Sequence, residues 1–258
     1  MSAVLQAKGI SVSFGGVHAV ENVDLEVEEG RLVGLIGPNG AGKTTFIDAI
    51  TGFVQAHGSV LLDGRDLAKL PPHVRARHGL ARTWQSIELF DDLTVGENLA
   101  VSGERARLWG TVKELLAGPA GATSSVRETL EILGLDTLID ESPADLPQGQ
   151  RKLVGVARAL AAKPRLLLLD EPAAGLDTSE TRELGTRLRR MVERGLAMLL
   201  IDHDMGLVLN ICDYVYVLDF GVVIAQGRPE EIRNDPNVIS AYLGGAAVED
   251  VDVSGEAR

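Results

Sequence analysis

Gly37-Pro38-Asn39-Gly40-Ala41-Gly42-Lys43-Thr44-Thr45 fits the pattern G-x-x-x-x-G-K-[ST]. The preceding residues, Arg31–Ile36, have the pattern of a strand, and Lys43–Ile50 has the pattern of a helix that ends near Gly52. In this strand–loop–helix context the glycines let successive backbone N–H groups point inward as an anion nest, and the helix N-terminus adds partial positive charge. The sequence therefore predicts a site for the phosphates of a nucleoside triphosphate.

Four side chains supply the rest of the predicted site. Lys43 can reach the β- and γ-phosphates, and the Thr44 hydroxyl can ligate Mg²⁺. Four leucines, Leu166–Leu169, predict a buried strand that ends at Asp170 and Glu171, the end at which open α/β sheets bind ligands. Asp170 is predicted to hold Mg²⁺ directly or through water, and Glu171 to orient or deprotonate the water that attacks the γ-phosphate. The alternative is a solvated Asp-Glu-Pro turn, which the upstream loop and the leucines disfavour.

Alternating strand and helix patterns predict an α/β fold, with a P-loop NTPase core around a mostly parallel sheet. Residues 4–36 combine short β-like runs, including Val4–Lys8 and Ser11–Phe14, with glycine-containing turns, which predicts an antiparallel β portion at the N-terminus. Asp177-Thr178-Ser179-Glu180 has the pattern of a capping box that opens a helix. Helical spacing over roughly 92–155 predicts a helical subdomain inserted into the core. The ATPase domain is expected to span residues 1–243, and the acidic residues 244–258 are expected to form a disordered tail.

Composition limits the partners that the chain can have. The 258 residues carry a formal net charge of −12, which argues against nucleic acid as a partner held by charge. The N-terminus lacks the pattern of a signal peptide, and the apolar runs are far shorter than the roughly 20 residues that span a bilayer. A single cysteine, Cys212, suits a reducing cytosol. We therefore expect a cytoplasmic protein without direct membrane insertion, so that any role at a membrane needs a partner.

The order of motifs resembles that of ABC transporter ATPases, over residues 4–243. After the phosphate loop come a Q-loop, a signature, the Asp170-Glu171 pair, a D-loop and a switch histidine. These are Gln85, Leu146-Pro147-Gln148-Gly149-Gln150, Gly175-Leu176-Asp177 and His203. The resemblance implies ATP and Mg²⁺ as ligands.

The same resemblance implies roles for three further side chains. Gln85 would contact Mg²⁺ and the attacking water from the hinge of the helical subdomain. His203 would hydrogen-bond the γ-phosphate; without the resemblance it would be interpreted as a surface residue. Phe14 stands where the family has an aromatic that stacks on adenine, with a core phenylalanine as the alternative.

The signature departs from the usual Leu-Ser-Gly-Gly-Gln, in which the serine hydroxyl and a glycine N–H contact the nucleotide of the opposite subunit. Pro147 replaces the serine and Gln148 the first glycine, and proline offers neither hydroxyl nor N–H. The Gly149 and Gln150 amides, with the helix dipole, could still meet a phosphate. We therefore predict that the signature binds the opposite subunit's nucleotide more weakly than the usual sequence does, but is not inactive.

Several segments narrow the resemblance to ATPases of branched-chain amino-acid importers. They are Gly15–Val20, Thr83–Phe90, the proline-containing signature and Asp235–Gly244. Importers of urea or other amides share much of this pattern. A soluble ABC-type mechanochemical ATPase and a P-loop kinase for a small molecule are the alternatives from other classes.

Membership in this family implies a peripheral ATPase subunit on the inner face of the cell membrane. Two ATPase subunits, identical or paralogous, would sandwich ATP head to tail and act on integral membrane permease subunits. The apolar segment between Gln85 and Leu93 is the predicted docking surface for a permease. The alternative is that its side chains pack under the helical subdomain.

Overall fold

The computed structural model describes residues 2–84, 89–102 and 124–249. Within these residues ten strands form two sheets. The strands are β1 (Ala3–Phe14), β2 (Val17–Glu28), β3 (Leu32–Ile36), β4 (His57–Leu62), β5 (Arg65–Asp66), β6 (Leu80–Arg82), β7 (Leu166–Asp170), β8 (Ala197–Ile201), β9 (Tyr214–Asp219) and β10 (Val222–Gly227).

The described helices surround the larger sheet. They are α1 (Lys43–Thr51), α2 (Pro72–Arg77), α3 (Val95–Ser102), α4 (Ser124–Leu133), α5 (Gln148–Ala161), α6 (Thr178–Glu193), α7 (Met205–Ile211), α8 (Pro229–Arg233) and α9 (Pro236–Glu249). Single 3₁₀ turns lie at Asp136–Leu138 and Pro143–Asp145.

The larger sheet has the order β10-β9-β3-β8-β7-β6, and its strands are parallel except for β10, which pairs antiparallel with β9. The predicted mostly parallel sheet is confirmed. Because β3, β7 and β8 run in the same direction, the residues that follow them lie at one edge of the sheet. The phosphate loop follows β3, the Asp170-Glu171 pair ends β7, and His203 follows β8.

The smaller sheet, with the order β2-β1-β4-β5, is antiparallel and confirms the predicted N-terminal β portion. The sequence predicted two short strands within residues 4–14, whereas β1 is continuous. Gly9 explains the difference: its φ of +61° accompanies a register shift between Ala7 and Ile10, so that the strand bulges instead of ending.

Alternate side chains of the larger sheet enter two different cores. Leu167 and Leu169 face a core shared with helices α3 to α7, whereas Leu166 and Leu168 face a core shared with α1 and the smaller sheet. All four are fully buried. A strand covered on both faces has no polar side, which explains the run of leucines.

Two of the predicted boundaries, at residues 155 and 243, fall within helices of the structure. Helix α5 is continuous through residue 155, so the helical portion and the core share this element. Helix α9 extends to Glu249 and includes the first residues assigned to the tail, 244–249. Residues 250–258 lie outside the described residues, as do parts of the predicted helical insertion.

A buried arginine closes the end of α1. Arg75 is 4% exposed, and its guanidinium donates to the Ala49 and Ile50 carbonyls at 2.9 and 2.7 Å and to two loop carbonyls, those of Ala68 and Leu70. The last carbonyls of a helix have no partner within the helix, and their dipoles favour a cation. Arg75 therefore anchors the C-terminus of the helix whose N-terminus forms the phosphate loop.

We predict that Arg75→Leu lowers the free energy of unfolding by about 2–4 kcal/mol, because four carbonyls, two of them in buried contacts, lose the guanidinium donor. Urea unfolding followed by circular dichroism would measure this change. Arg77→Leu, an exposed change in the same helix α2, is the matched control and should stay within about 0.5 kcal/mol. Equal stability of the two variants would contradict the anchoring role.

Candidate nucleotide-binding site

The phosphate loop requires glycine at two positions. Gly37 has φ +153°, and a Cβ there would lie 2.1 Å from the Leu218 carbonyl oxygen. Gly42, the residue before α1, has φ +100°, and a Cβ there would lie 2.4 Å from the Ala19 carbonyl oxygen. The loop is thus packed closely against β9 and β2, and only glycine allows this approach.

Lys43 lies across the loop rather than along the helix. Its ammonium donates to the carbonyls of Gly37 and Pro38 at 2.7 and 2.9 Å, and the residue is 7% exposed. Burial lowers the pKa of Lys43, and the charges of Glu171 and Asp170 oppose that shift. The positive charge of Lys43 is therefore held against the backbone of the phosphate loop.

One arginine connects α1, the helix that follows the phosphate loop, to Asp170 at the end of β7. Arg82, at the end of β6, donates to Asp170 Oδ2 at 2.7 Å and to Asp48 Oδ1, in α1, at 2.5 Å. Its side chain is 6% exposed and the Asp170 side chain 10%. The Arg82 guanidinium also lies 4.2 Å from the centroid of the Trp84 ring. These contacts fix the Asp170 carboxylate relative to the helix of the phosphate loop.

Glu171 follows Asp170 in a backbone conformation that is uncommon for its residue type. Its φ is +47°, and its N–H donates to the Ile201 carbonyl at 2.8 Å. A bulky residue with positive φ stores strain of order 1 kcal/mol, which persists where the surroundings determine the geometry. The backbone of Glu171 is thus held against the end of the neighbouring strand β8.

A second carboxylate ends the neighbouring strand β8. Asp202 is fully buried and accepts from the N–H groups of Ala173 and Asp204, at 3.2 and 3.0 Å. Its Oδ1 lies 3.6 Å from Nδ1 of His203, whose side chain is 58% exposed. Asp202 therefore links the turn after β7 to the turn that presents His203.

The β1–β2 hairpin presents Phe14 at its exposed tip. Phe14 is 53% exposed and precedes Gly15 and Gly16, which have φ of +53° and +89°. This exposure rules out the alternative of a core phenylalanine. Phe14 is available for stacking on a ligand.

The signature segment opens helix α5. Pro147 is the N-cap and provides no side-chain hydrogen bond, so the first N–H groups of α5 lack a side-chain cap. Pro147 and Gln148 are exposed, whereas Gly149 is buried, and a Cβ there would lie 2.7 Å from Glu180 Oε1. The D-loop aspartate, Asp177, forms a capping box with Glu180, as predicted.

A cavity of about 620 Å³ opens beside Asp170 and Glu171, between β6 and α5. Trp84 and Phe53 lie at its wall with ring centroids 5.1 Å apart, in an edge-to-face arrangement. Trp84 and Phe90 are 46% and 47% exposed, whereas Leu89 is half-buried. The predicted Q-loop residue, Gln85, lies outside the described residues.

The residues at the sheet edge fit Mg²⁺. The described residues contain no cluster of three or more His, Cys, Asp or Glu that could form a metal cage. Mg²⁺ needs none, because it is commonly held by one or two carboxylates together with substrate phosphates. Asp170 offers its second carboxylate oxygen, and the exposed Thr44 offers a hydroxyl at the start of α1.

Sequence reasoning assigned no role to three residues that organise this site. They are Arg82, Lys152 and Asp202. Asp202 had a usable signal, since it follows a buried strand as Asp170 does. The contacts of Arg82 and Lys152 join positions far apart in the chain and have no local signature.

This chain belongs to the ABC transporter family, whose model matches residues 20–174. A second model, described as branched-chain amino acid ATP-binding cassette transporter, matches residues 222–248. No helix among residues 2–84, 89–102 and 124–249 combines the length and the apolar character needed to cross a bilayer.

Relatives match along nearly the whole chain. The chain is 41% identical to BraF of Pseudomonas aeruginosa, a high-affinity branched-chain amino acid transport ATP-binding protein, over 94% of this chain and 98% of BraF. LivG of Escherichia coli K12, of the same description, is 40% identical with the same coverage. The lipopolysaccharide export ATP-binding protein LptB of Haemophilus influenzae is 35% identical, with the same coverage again.

Solved structures agree with this assignment. A nucleotide-free ATP-binding cassette from an ABC transporter superposes with a TM-score of 0.80 at 32% identity, covering 93% of this chain and 99% of that one. An ATP-binding cassette of an ABC transporter in its ADP conformation superposes with a TM-score of 0.81 at 31% identity, covering 95% and 100%.

We predict that Lys43→Ala weakens ATP binding at least about tenfold, because neither the loop N–H groups nor the helix dipole replaces the lost charge. Equilibrium titration with a fluorescent ATP analogue would measure the dissociation constant. Lys69→Ala, which removes an exposed lysine, is the control. An unchanged dissociation constant in the folded Lys43→Ala variant would refute the assignment.

Proposed function

We propose that this chain is the ATP-hydrolysing subunit of an ABC importer for branched-chain or other hydrophobic amino acids. The observation that carries the proposal is the meeting of Lys43, Asp170 and Glu171 at one edge of the parallel sheet, in a chain of this family. The relatives named for branched-chain amino-acid transport supply the substrate class.

This site would promote hydrolysis mainly by positioning ATP and the attacking water and by neutralising the charge of the phosphates. Lys43 would leave the loop carbonyls for the β- and γ-phosphates, and Phe14 would stack on adenine. Mg²⁺, held by Asp170 and Thr44, with Gln85 near it, would neutralise phosphate charge. Glu171 would orient or deprotonate the attacking water, and His203 would hydrogen-bond the γ-phosphate.

Complete sites require a second ATPase subunit, identical or paralogous. The uncapped start of α5 presents N–H groups of Gln148, Gly149 and Gln150 to a ligand outside this chain's own loop. Pro147 leaves this signature without the usual hydroxyl. A γ-phosphate bound to the partner subunit is the ligand that we assign to it.

Permease subunits are the second class of partner. The exposed rings of Trp84 and Phe90, beside the 620 Å³ cavity, form an apolar surface that a membrane subunit could cover. Docking there would hold the chain on the inner face of the cell membrane without inserting it. The cavity also reaches Asp170 and Glu171, so a docked segment would lie close to the hydrolytic residues.

The class of transported solute follows from the relatives that match this chain. LptB, which is named for lipopolysaccharide export, also matches nearly the whole chain, at 35% identity. Identity is higher to BraF and LivG, and the C-terminal segment matches the branched-chain model. These two observations favour amino acids over urea or other amides, which stay the alternative, and over a mechanochemical ATPase without transport.

We predict that Glu171→Gln retains ATP binding and lowers turnover at least about a hundredfold, because the amide cannot accept the water's proton. Phosphate release in the transporter assembled with its membrane subunits would measure turnover. Size-exclusion chromatography with ATP would detect a trapped dimer of ATPase subunits.

Glu183→Gln, an exposed change in α6, is the control for loss of a carboxylate and should hydrolyse ATP at the normal rate. Near-normal turnover by Glu171→Gln would remove Glu171 from the mechanism. ATP-independent uptake by the unsubstituted complex would overturn the proposed function itself.

A further inference from the structure

Lys152 is a buried lysine that the proposed mechanism does not use. It lies in α5 four residues after Gln148 and is 8% exposed. Its ammonium donates to the carbonyl of Ala174 in a short contact and to the carbonyl of Glu171 at 3.4 Å. The lysine therefore connects the signature helix to the turn that carries Glu171.

Burial of this ammonium carries a cost. Desolvation lowers the pKa of Lys152, and the charges of Asp202 and Glu171 oppose the shift. An apolar side chain at this position would avoid the desolvation of a charge. The cost indicates that the two carbonyl contacts have a use beyond packing.

The carbonyls bound by Lys152 belong to a turn that is fixed from several sides. Glu171 has φ +47°, its N–H donates to Ile201, and the N–H of Ala173 donates to Asp202. These bonds tie the turn to β8. Lys152 ties the same turn to α5.

The signature segment also lies close to the residues that follow the Glu171 turn. A Cβ on Gly175 would lie 3.0 Å from Nε2 of Gln148, and a Cβ on Gly149 would lie 2.7 Å from Glu180. The signature and the D-loop of one chain are thus packed together. One turn further along α5, Lys152 adds a charged attachment to Glu171 and Ala174, which precede the D-loop.

We propose that Lys152 is a positioning residue that sets the Glu171 turn relative to the signature helix. This inference rests on the role proposed above for Glu171. Within one chain, the signature serves the partner's nucleotide and Glu171 serves the chain's own. Through Lys152, a displacement of α5 on contact with the partner's nucleotide moves the backbone that carries Glu171, so the two sites are mechanically linked.

The test compares Lys152→Met with Lys152→Arg in the assembled transporter. Methionine keeps the length and the apolar stem but loses the charge and the donors, so kcat should fall about tenfold or more while the dissociation constant for ATP stays within about twofold. Arginine keeps charge and donors and should restore part of kcat. Lys163→Met, at an exposed lysine just after the same helix, should leave both constants unchanged.

A double-mutant cycle distinguishes positioning from general stability. If Lys152 acts through Glu171, Lys152→Met should lower kcat little further in a Glu171→Gln background. An unchanged kcat in folded Lys152→Met would overturn the proposal, as would a parallel loss of kcat, ATP affinity and melting temperature, or equal effects in both backgrounds. If Glu171→Gln itself hydrolysed ATP normally, the role of Glu171 would fail instead, and the two failures are therefore distinguishable.

Discussion

A buried guanidinium holds the two ends of the nucleotide site together. Arg82 contacts Asp170 at the end of β7 and Asp48 in α1, and its own side chain is 6% exposed. The two carboxylates belong to different elements of the fold. Because charges buried to this extent are costly unless paired, the three groups fix one another's positions. Arg82 therefore connects the helix that follows the phosphate loop to the predicted metal ligand.

The residues around Arg82 and Asp170 connect the nucleotide site to neighbouring elements and to the protein surface. The turn after β7 is attached to β8 through Ile201 and Asp202 and to α5 through Lys152. Trp84 covers the Arg82 guanidinium and is half exposed beside the large cavity. A partner that covers Trp84, and a nucleotide that meets the start of α5, would each act on residues in direct contact with the hydrolytic groups.

Local patterns in the sequence predicted much of this arrangement. The phosphate loop, the leucine strand that ends at Asp170 and the Asp177–Glu180 capping box depend on neighbours within a few residues, and the structure has all three. The ion pair of Arg82 with Asp170 spans 88 positions. No local pattern encodes such a pair, because the sheet order brings β6 beside β7. Composition also misjudged residues 244–249, where the start of an acidic tail continues α9.

The central claim is that ATP and Mg²⁺ bind together at the strand ends marked by Lys43 and Asp170. The most direct test is calorimetric titration of ATP, with Mg²⁺ and with EDTA, into the unsubstituted chain and into Asp170→Asn. Mg²⁺ should strengthen ATP binding to the unsubstituted chain, and that gain should be lost in Asp170→Asn while binding in EDTA is not weakened. An equal gain from Mg²⁺ in both proteins would contradict the account.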